Sequence, residues 1–347
     1  MTGSLEVLTP AAVAGLNRTD VRGPGLTRLR AGDTFYYVDA AGTQINDPLT
    51  IERIRSLALP PAWTSIWISP DPLGHIQATG VDSRGRTQYR YHELWRQQRD
   101  AQKFDHMLRF AAALPGLRDS TVRDLRHRTL DRGRVAAAAV RLIDLGLFRL
   151  GGERYAELDH HYGAATLEKR HVSVHRDGLH FDYVAKEGQH RAITVTDEAV
   201  LPTVRALARS DNGLTELFCF RGAQSAWRPL HSHDVSAYIA DNTSGHFTAK
   251  EFRTWNATTL MALLLVAAGP PASDRAATTA IRDAVRGVAQ WLGDTPAVAR
   301  ASYIDPRIVS QYQSGSLVGI PPQPARLPVD YAAEQAVAAL LASSGDG

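Results

Sequence analysis

The chain has 347 residues, more than twice the usual ~150-residue domain, so two domains are the first expectation. Hydrophobic residues make up 44% and charged residues 22%, which excludes wholesale disorder. The single cysteine, Cys219, excludes an internal disulfide and a cysteine-built zinc site. A formal net charge of +3 is compatible with a polyanionic partner without requiring one.

The kind of charge says more than the amount. Of 39 basic residues only Lys103, Lys169, Lys186 and Lys250 are lysine. In so arginine-biased a chain, a lysine that persists is a candidate for work arginine cannot do, namely giving up a proton. Residues 5–13 are broken by Glu6 and Pro10 and lack a basic leader, unlike a signal peptide. The longest apolar run, 260–268, is about half of the ~20 residues a bilayer span needs. The expectation is a cytoplasmic protein.

In chain order, residues 31–91 read as short strands punctuated by Gly, Pro and Asp. The runs 34–38, 65–69 and 75–79 each lead into a turn, which suggests a small antiparallel sheet domain. From about residue 93 the period becomes helical, with two long stretches expected over 93–114 and 118–148. The second packs Arg118, Arg123, Arg126, Arg128, Arg132 and Arg134 together, as either a solvated charged face or a phosphate-contacting one. Residues 171–195 read as a three-stranded meander, with Lys186 at the tip of its second hairpin. Everything after Asp197 reads as helices. Thr248 and Glu251 form a capping box that starts a helix on which Lys250 and Arg253 share one face. Thr295-Pro296 starts another, with Tyr303 two turns on.

No G-x-x-x-x-G-K-[ST] loop and no G-x-G-x-x-G after a strand occurs, so nucleotide hydrolysis is not expected. Thirteen histidines raise the question of metal. His231, His233 and Asp234 are the best group and His160-His161 the next, but their spacing departs from hydrolase motifs. His171 and His175 on one strand would stand about 13 Å apart, too far to share an ion. Solvated or capping histidines account for the set, and no metal site is assigned.

What remains is Arg149, Lys186, Lys250 with Arg253, and Tyr303, spread over separate elements. The segments 148–155 (FRLGGERY), 162–172 (YGAATLEKRHV), 250–255 (KEFRTW) and 295–303 (TPAVARASY) resemble, in this order, the type IB DNA topoisomerases, and among them the compact poxvirus-like bacterial branch. In the amino-terminal half, 60–63 (PPAW) and 85–92 (GRTQYRYH) are similar to that family's signature as well. The resemblance covers roughly residues 20–315.

The resemblance implies an α+β chain. A small antiparallel β-sheet domain, residues 1–92, would lie on one side of duplex DNA. A larger, mainly α-helical, tyrosine recombinase-like catalytic domain, residues 93–347, would contain the meander and complete a C-shaped clamp. It further implies a monomeric, nucleoid-associated enzyme that relaxes supercoils through a 3′-phosphotyrosine, with duplex DNA as partner and neither ATP nor a required metal. Tyr303 matches the nucleophile, Arg149 and Arg253 the two phosphate-gripping arginines, Lys186 the general acid and Lys250 a lysine that assists it. Arg86, Gln88, Tyr89 and Tyr91 match a segment that touches DNA, and Tyr155 a tyrosine near the scissile phosphate.

The chemistry fits these residue types on its own terms. A phenol is both nucleophile and comparable leaving group, so bond energy is conserved in the covalent link. Guanidinium forks suit the equatorial oxygens of a phosphoryl transition state, and a departing 5′-oxygen needs a proton that lysine can supply. One position departs from the family, which has His or Asn directly before Thr-Pro, where this chain has Asp294. An ionised carboxylate cannot donate a hydrogen bond to a phosphate. Two rivals stay open: a tyrosine recombinase or integrase, which shares the chemistry, and a non-enzymatic DNA-binding protein, which has no need of Tyr303.

Overall fold

The computed structural model describes residues 15–343 apart from 147, 223–225, 318, 322–323 and 325–327, with the side chains of 154, 155 and 187 also outside the description. The chain forms two compact units, residues 1–105 and 106–347.

The first unit holds two small antiparallel sheets. β1 (Thr27–Ala31) pairs with β2 (Thr34–Val38), and β3 (Thr64–Ile68), β4 (Ile76–Val81) and β5 (Thr87–Tyr91) form a meander. Leu26, Ile66, Ile68 and Ala78 from this layer meet Ile54 of α1 (Pro48–Ser56) in one apolar cluster. Neither β1 nor α1 stands out in the strand reading of 31–91. The signal for α1 is present, though: Asp47 caps it, accepting from Thr50 N–H, and Pro48 takes the first helical position. The Arg28 guanidinium donates to the carbonyls of Leu59, Pro60 and Trp63, each at 2.9 Å, and so fixes the 60–63 loop.

α2 (Glu93–Leu125) is one helix of 33 residues that passes through Pro115. The expected break before residue 118 does not occur. Proline removes one hydrogen bond inside a helix, but Phe110, Ala111, Leu114 and Leu117 are all buried around it and hold the helix in place. The break comes instead at 126–131, where Asp131 caps α3 (Arg132–Asp144). The arginines of this stretch divide by role. Arg118 is clamped between Asp144 (2.9 Å) and Glu334 (2.5 Å), Arg132 pairs with Asp234 at 2.6 Å, and Arg134 donates to Thr203. These three cross-link the unit, whereas Arg123, Arg126 and Arg128 are exposed.

After α4 (Glu153–Asp159) come β6 (Val172–Val174), β7 (Leu179–Ala185) and β8 (Gln189–Val195), the expected antiparallel meander. A single 3₁₀ turn over Lys186–Gly188 joins the last two. α5 (Leu201–Ala208) follows. Then a short ribbon, β9 (Cys219–Arg221) with β10 (Trp227–Pro229), interrupts what the sequence presents as uniformly helical. α6 (Ser232–Asp241) starts at His231, whose N–H donates to the Asp234 carboxylate, so these residues serve as a cap.

α7 (Ala249–Ala268) is buried over most of its circumference and forms the axis of the second unit. α8 (Asp274–Leu292), α9 (Pro296–Ser302), α10 (Pro306–Gln313) and α11 (Tyr331–Ser343) complete it. The molecule is thus mixed α and β, with small antiparallel sheets and a mainly helical second unit. Among the described residues no helix is long and apolar enough to cross a membrane.

Candidate active site

Arg149 lies on an irregular segment between α3 and α4. Its backbone is pinned because Ala164 N–H donates to Arg149 O and Ala165 N–H to Leu150 O, both at 2.7 Å. Two glycines make this crossing possible. A Cβ on Gly163 would stand 2.5 Å from Gly151 N and 2.7 Å from Arg149 O, while Gly151 has a φ of +82°. Only chains without side chains pass that closely. Phe148, just before, packs against Phe181 and Tyr183 of β7. The paired glycines of the 148–155 and 162–172 segments are therefore one structural device. Glu153 adds a second anchor, accepting from the backbone and hydroxyl of Ser232 at the start of α6.

Arg253 arrives from the first turns of α7. Thr248 caps that helix and Glu251 accepts back from Thr248 N–H at 2.7 Å, so the capping box is present. Lys250, three residues earlier on the same helix, is exposed. The Arg253 guanidinium is 12% exposed. It donates through Nη2 to Leu292 O and to Asp294 Oδ2, both at 2.9 Å. Arg149 reaches the same place from the other side, donating to Asp294 Oδ1 at 3.2 Å and to the carbonyls of Leu292 and Gly293 at 3.4 Å.

Both arginines thus close on the C-terminus of α8 and on one carboxylate. Helix C-termini leave carbonyls without intrahelical partners, and here the guanidinium groups satisfy them. Gly293, left-handed at φ +64°, ends α8 and turns the chain so that Asp294 projects between the two cations. Burial, followed by the neighbouring Arg149, pulls the Arg253 guanidinium below its usual value, while Tyr303 and Asp294 act to raise it. Two like charges half out of water need an anion between them, and Asp294 is that anion. The Nε of Arg253 is buried and makes no hydrogen bond among the described residues.

Tyr303 follows directly on α9, which Thr295 caps by accepting from Val298 N–H. Its backbone is held from two sides: Tyr303 N–H donates to Ala299 O, and the Thr258 hydroxyl of α7 donates to Tyr303 O at 3.2 Å. The Arg253 guanidinium lies 5.2 Å from the centroid of the half-buried Tyr303 ring, a cation–π distance.

Lys186 is exposed on the turn between β7 and β8. Ala185 and Gln189, either side of that turn, line a small cavity together with Arg149, Arg253, Tyr183 and Arg191. Arg191 and Tyr183 escaped the sequence reading, since nothing in an alternating strand separates a site-facing residue from a core one. Burial pushes the Tyr183 phenol up to about 12 despite three nearby arginines. It stays protonated at neutral pH and is a poor nucleophile.

In the first unit, β5 sorts its candidates by face. Arg86 and Gln88 both donate to Asp82 Oδ2 at 2.9 Å, whereas Tyr89 and Tyr91 stack on each other on the opposite face with centroids 6.0 Å apart. Tyr91 also packs on Leu16 and Trp95, which leaves Tyr89 the exposed ring of the pair. Tyr155 lies on α4, its side chain outside the described residues.

Two family models and one curated relative match the chain. A family model described as eukaryotic DNA topoisomerase I, catalytic core, matches residues 92–315. One described as bacterial DNA topoisomerase IB, N-terminal domain, matches residues 34–82. DNA topoisomerase 1B of Acanthamoeba polyphaga mimivirus is 29% identical over 298 residues, covering 84% of this chain and 88% of the viral protein.

Proposed function

The chain belongs to the type IB DNA topoisomerases, and on that premise we propose how its own residues relax supercoiled duplex DNA by cutting and resealing one strand. The Tyr303 oxygen attacks a backbone phosphorus and its phenolic proton passes to water. An O–P bond to tyrosine forms and the bond from phosphorus to the 5′-oxygen breaks, leaving a 3′-phosphotyrosine. Arg149 and Arg253 hold the non-bridging oxygens, whose charge grows in the transition state. Lys186 gives its proton to the departing 5′-oxygen, assisted by Lys250. The cut strand swivels, the 5′-hydroxyl returns its proton to Lys186 and attacks the phosphotyrosine, and the P–O bond to tyrosine breaks as the phenol takes a proton back from water. No step consumes ATP, because the phosphodiester energy is kept in the covalent link.

One observation carries this assignment of roles: two guanidinium groups from separate elements converge on a single anion, Asp294, beside the ring of Tyr303. The scissile phosphate takes that anionic place when DNA binds, and the unused Arg253 Nε supplies a further donor to it. The exposed Tyr89, with Gln88 and Tyr91 on β5 and Arg86 just before it, contacts the duplex from a β-rich domain over residues 1–92. Residues 93–347 form the catalytic domain, Tyr155 flanks the cleaved phosphate, and the two domains close on DNA as a C-shaped clamp in a monomeric, nucleoid-associated enzyme. The match of residues 34–82 to a bacterial topoisomerase N-terminal domain favours this over a recombinase.

Plasmid relaxation without ATP and in EDTA tests the reading, with wild type and Tyr303→Phe side by side. Wild type relaxes supercoils of both signs and gives a covalent protein–DNA adduct on denaturant quenching. Tyr303→Phe gives neither and still binds duplex. Relaxation or an adduct from the Phe variant would show that another residue is the nucleophile.

A further inference from the structure

Away from the site, the turn between β6 and β7 gathers three donors that the topoisomerase chemistry does not use. His175, Asp177 and His180 each present a ligand atom, and these atoms all lie within 4.8 Å of one another. His180 Nε2 stands 3.1 Å from Asp177 Oδ1. Ligands at ~2.0–2.1 Å from one ion stand roughly 2.9–3.4 Å apart in octahedral or tetrahedral geometry, so this pair is already at the spacing of two ligands on one centre. The His175 and His180 rings are 4.4 Å apart, tilted by 58°.

The turn that brings them together is fixed by its backbone. His175 N–H donates to Gly178 O at 2.9 Å. Gly178 has a φ of +153°, and a Cβ there would strike the Val195 carbonyl of β8. Across the sheet, the Thr194 hydroxyl lies 3.4 Å from His180 Nδ1. That hydroxyl can accept from Nδ1–H and leave the Nε2 lone pair directed at the Asp177 side, the arrangement by which proteins orient a metal-binding imidazole.

We propose that His175, Asp177 and His180 form a three-ligand site for a borderline divalent transition ion, Zn²⁺ foremost, with water completing the coordination. Two imidazoles and one carboxylate suit Zn²⁺, whereas Mg²⁺ and Ca²⁺ want oxygen ligands throughout. The site is structural. β7 (Leu179–Ala185) has His180 at its start and ends at the residue before Lys186, so an ion here staples the far end of the strand that leads into the proposed general acid. Two cationic groups set a limit on affinity: Arg176 lies within the turn, and Arg205 donates to His175 O at 3.4 Å. Their charge opposes a bound cation and weakens the site.

The full-length protein, stripped with EDTA and dialysed, is titrated with ZnCl₂ by calorimetry, and Co²⁺ is added separately for its visible ligand-field bands. One equivalent of Zn²⁺ binds with a Kd on the order of micromolar, and Co²⁺ gives bands of tetrahedral or five-coordinate intensity. His180→Ala and Asp177→Asn each weaken binding by about tenfold or more, while His231→Ala does not, and Mg²⁺ at about 1 mM raises Tm in none of them. All three positions are at the surface and outside the proposed active site, so each variant retains relaxation, which reports that it is folded. Absence of saturable Zn²⁺ binding up to about 1 mM overturns the site. So does an affinity in either turn variant equal to wild type, which would move the ion to the other histidines or to Cys219.

Discussion

Asp294 sits where both guanidinium groups point, and its charge sets the state of the site before DNA arrives. In the proposed mechanism a phosphate entering between Arg149 and Arg253 competes with this carboxylate, which also opposes the charge that grows in the transition state. Asn at the same volume removes the competitor and supplies a donor. A hydrogen bond to a charged group is worth about 1.5–3 kcal/mol, so Asp294→Asn is expected to speed single-turnover cleavage by roughly tenfold to hundredfold. The same change leaves two neighbouring cations without their anion, so Tm falls while the rate rises. Measuring both on one preparation separates the effects, and an Asn variant with unchanged rate would mean that the carboxylate swings clear once DNA binds. Lys186 calls for a different test, because its proposed role is a proton. Lys186→Ala should slow cleavage by about 10²–10⁴, and a substrate with sulfur as the scissile 5′-atom, which leaves without protonation, should restore most of that loss. Equal rescue of Arg253→Ala by sulfur would deprive Lys186 of a special role.

At the scale of elements, what the sequence displays and what it hides follow from whether the signal is local. The capping box of α7 and the meander were legible, since cap chemistry and alternation are written within a few residues. α1 was as local, in Asp47-Pro48, but lay in a stretch whose β-branched and aromatic residues pointed to strands. The passage of α2 through Pro115 was not legible: the penalty is local, whereas the burial of Phe110, Leu114 and Leu117 that outweighs it is tertiary. For the same reason, the arginine run of 118–134 could not be sorted into cross-links and surface from its spacing. The crossing of Gly151 and Gly163 is the element-scale feature with the most direct bearing on chemistry. Gly163→Ala forces the two strands of chain apart and carries Arg149 with them. Misplacement of a catalytic group by about 1 Å costs on the order of 10² in rate, so the variant should lose about that factor in cleavage and keep its duplex affinity. A cleavage rate within about twofold of wild type would show that the loop absorbs the added methyl group without moving Arg149.

Across the whole molecule, the order of motifs made the family legible and left the geometry of its site unwritten. Arg149, Arg253 and Tyr303 are 50 to 154 positions apart, and only the fold reveals that α8 ends between the two arginines. The DNA-facing surface is less determined than the catalytic one, because exposed residues carry no packing signature, and the proposed contacts therefore call for a thermodynamic test. Binding to duplex DNA releases about 0.9 counterions per phosphate neutralised, which appears as the slope of log K against log salt. Lys250, exposed at the start of α7, is a candidate phosphate contact. Tyr89, exposed on β5 and stacked on Tyr91, is a candidate contact through its ring face. Measured in a Tyr303→Phe background, so that no covalent step intrudes, Lys250→Gln should weaken binding and lower the salt slope by about 0.9. Tyr89→Ala should weaken binding by about 1.5–3 kcal/mol, the worth of burying an aromatic side chain against the sugar surface of the duplex, and leave the slope unaltered. If both domains grip one duplex at once, the double variant loses the sum of the two free energies and keeps the slope of Lys250→Gln. If Tyr89→Ala binds as wild type does at every salt concentration, β5 does not face the DNA and the proposed clamp loses its amino-terminal arm.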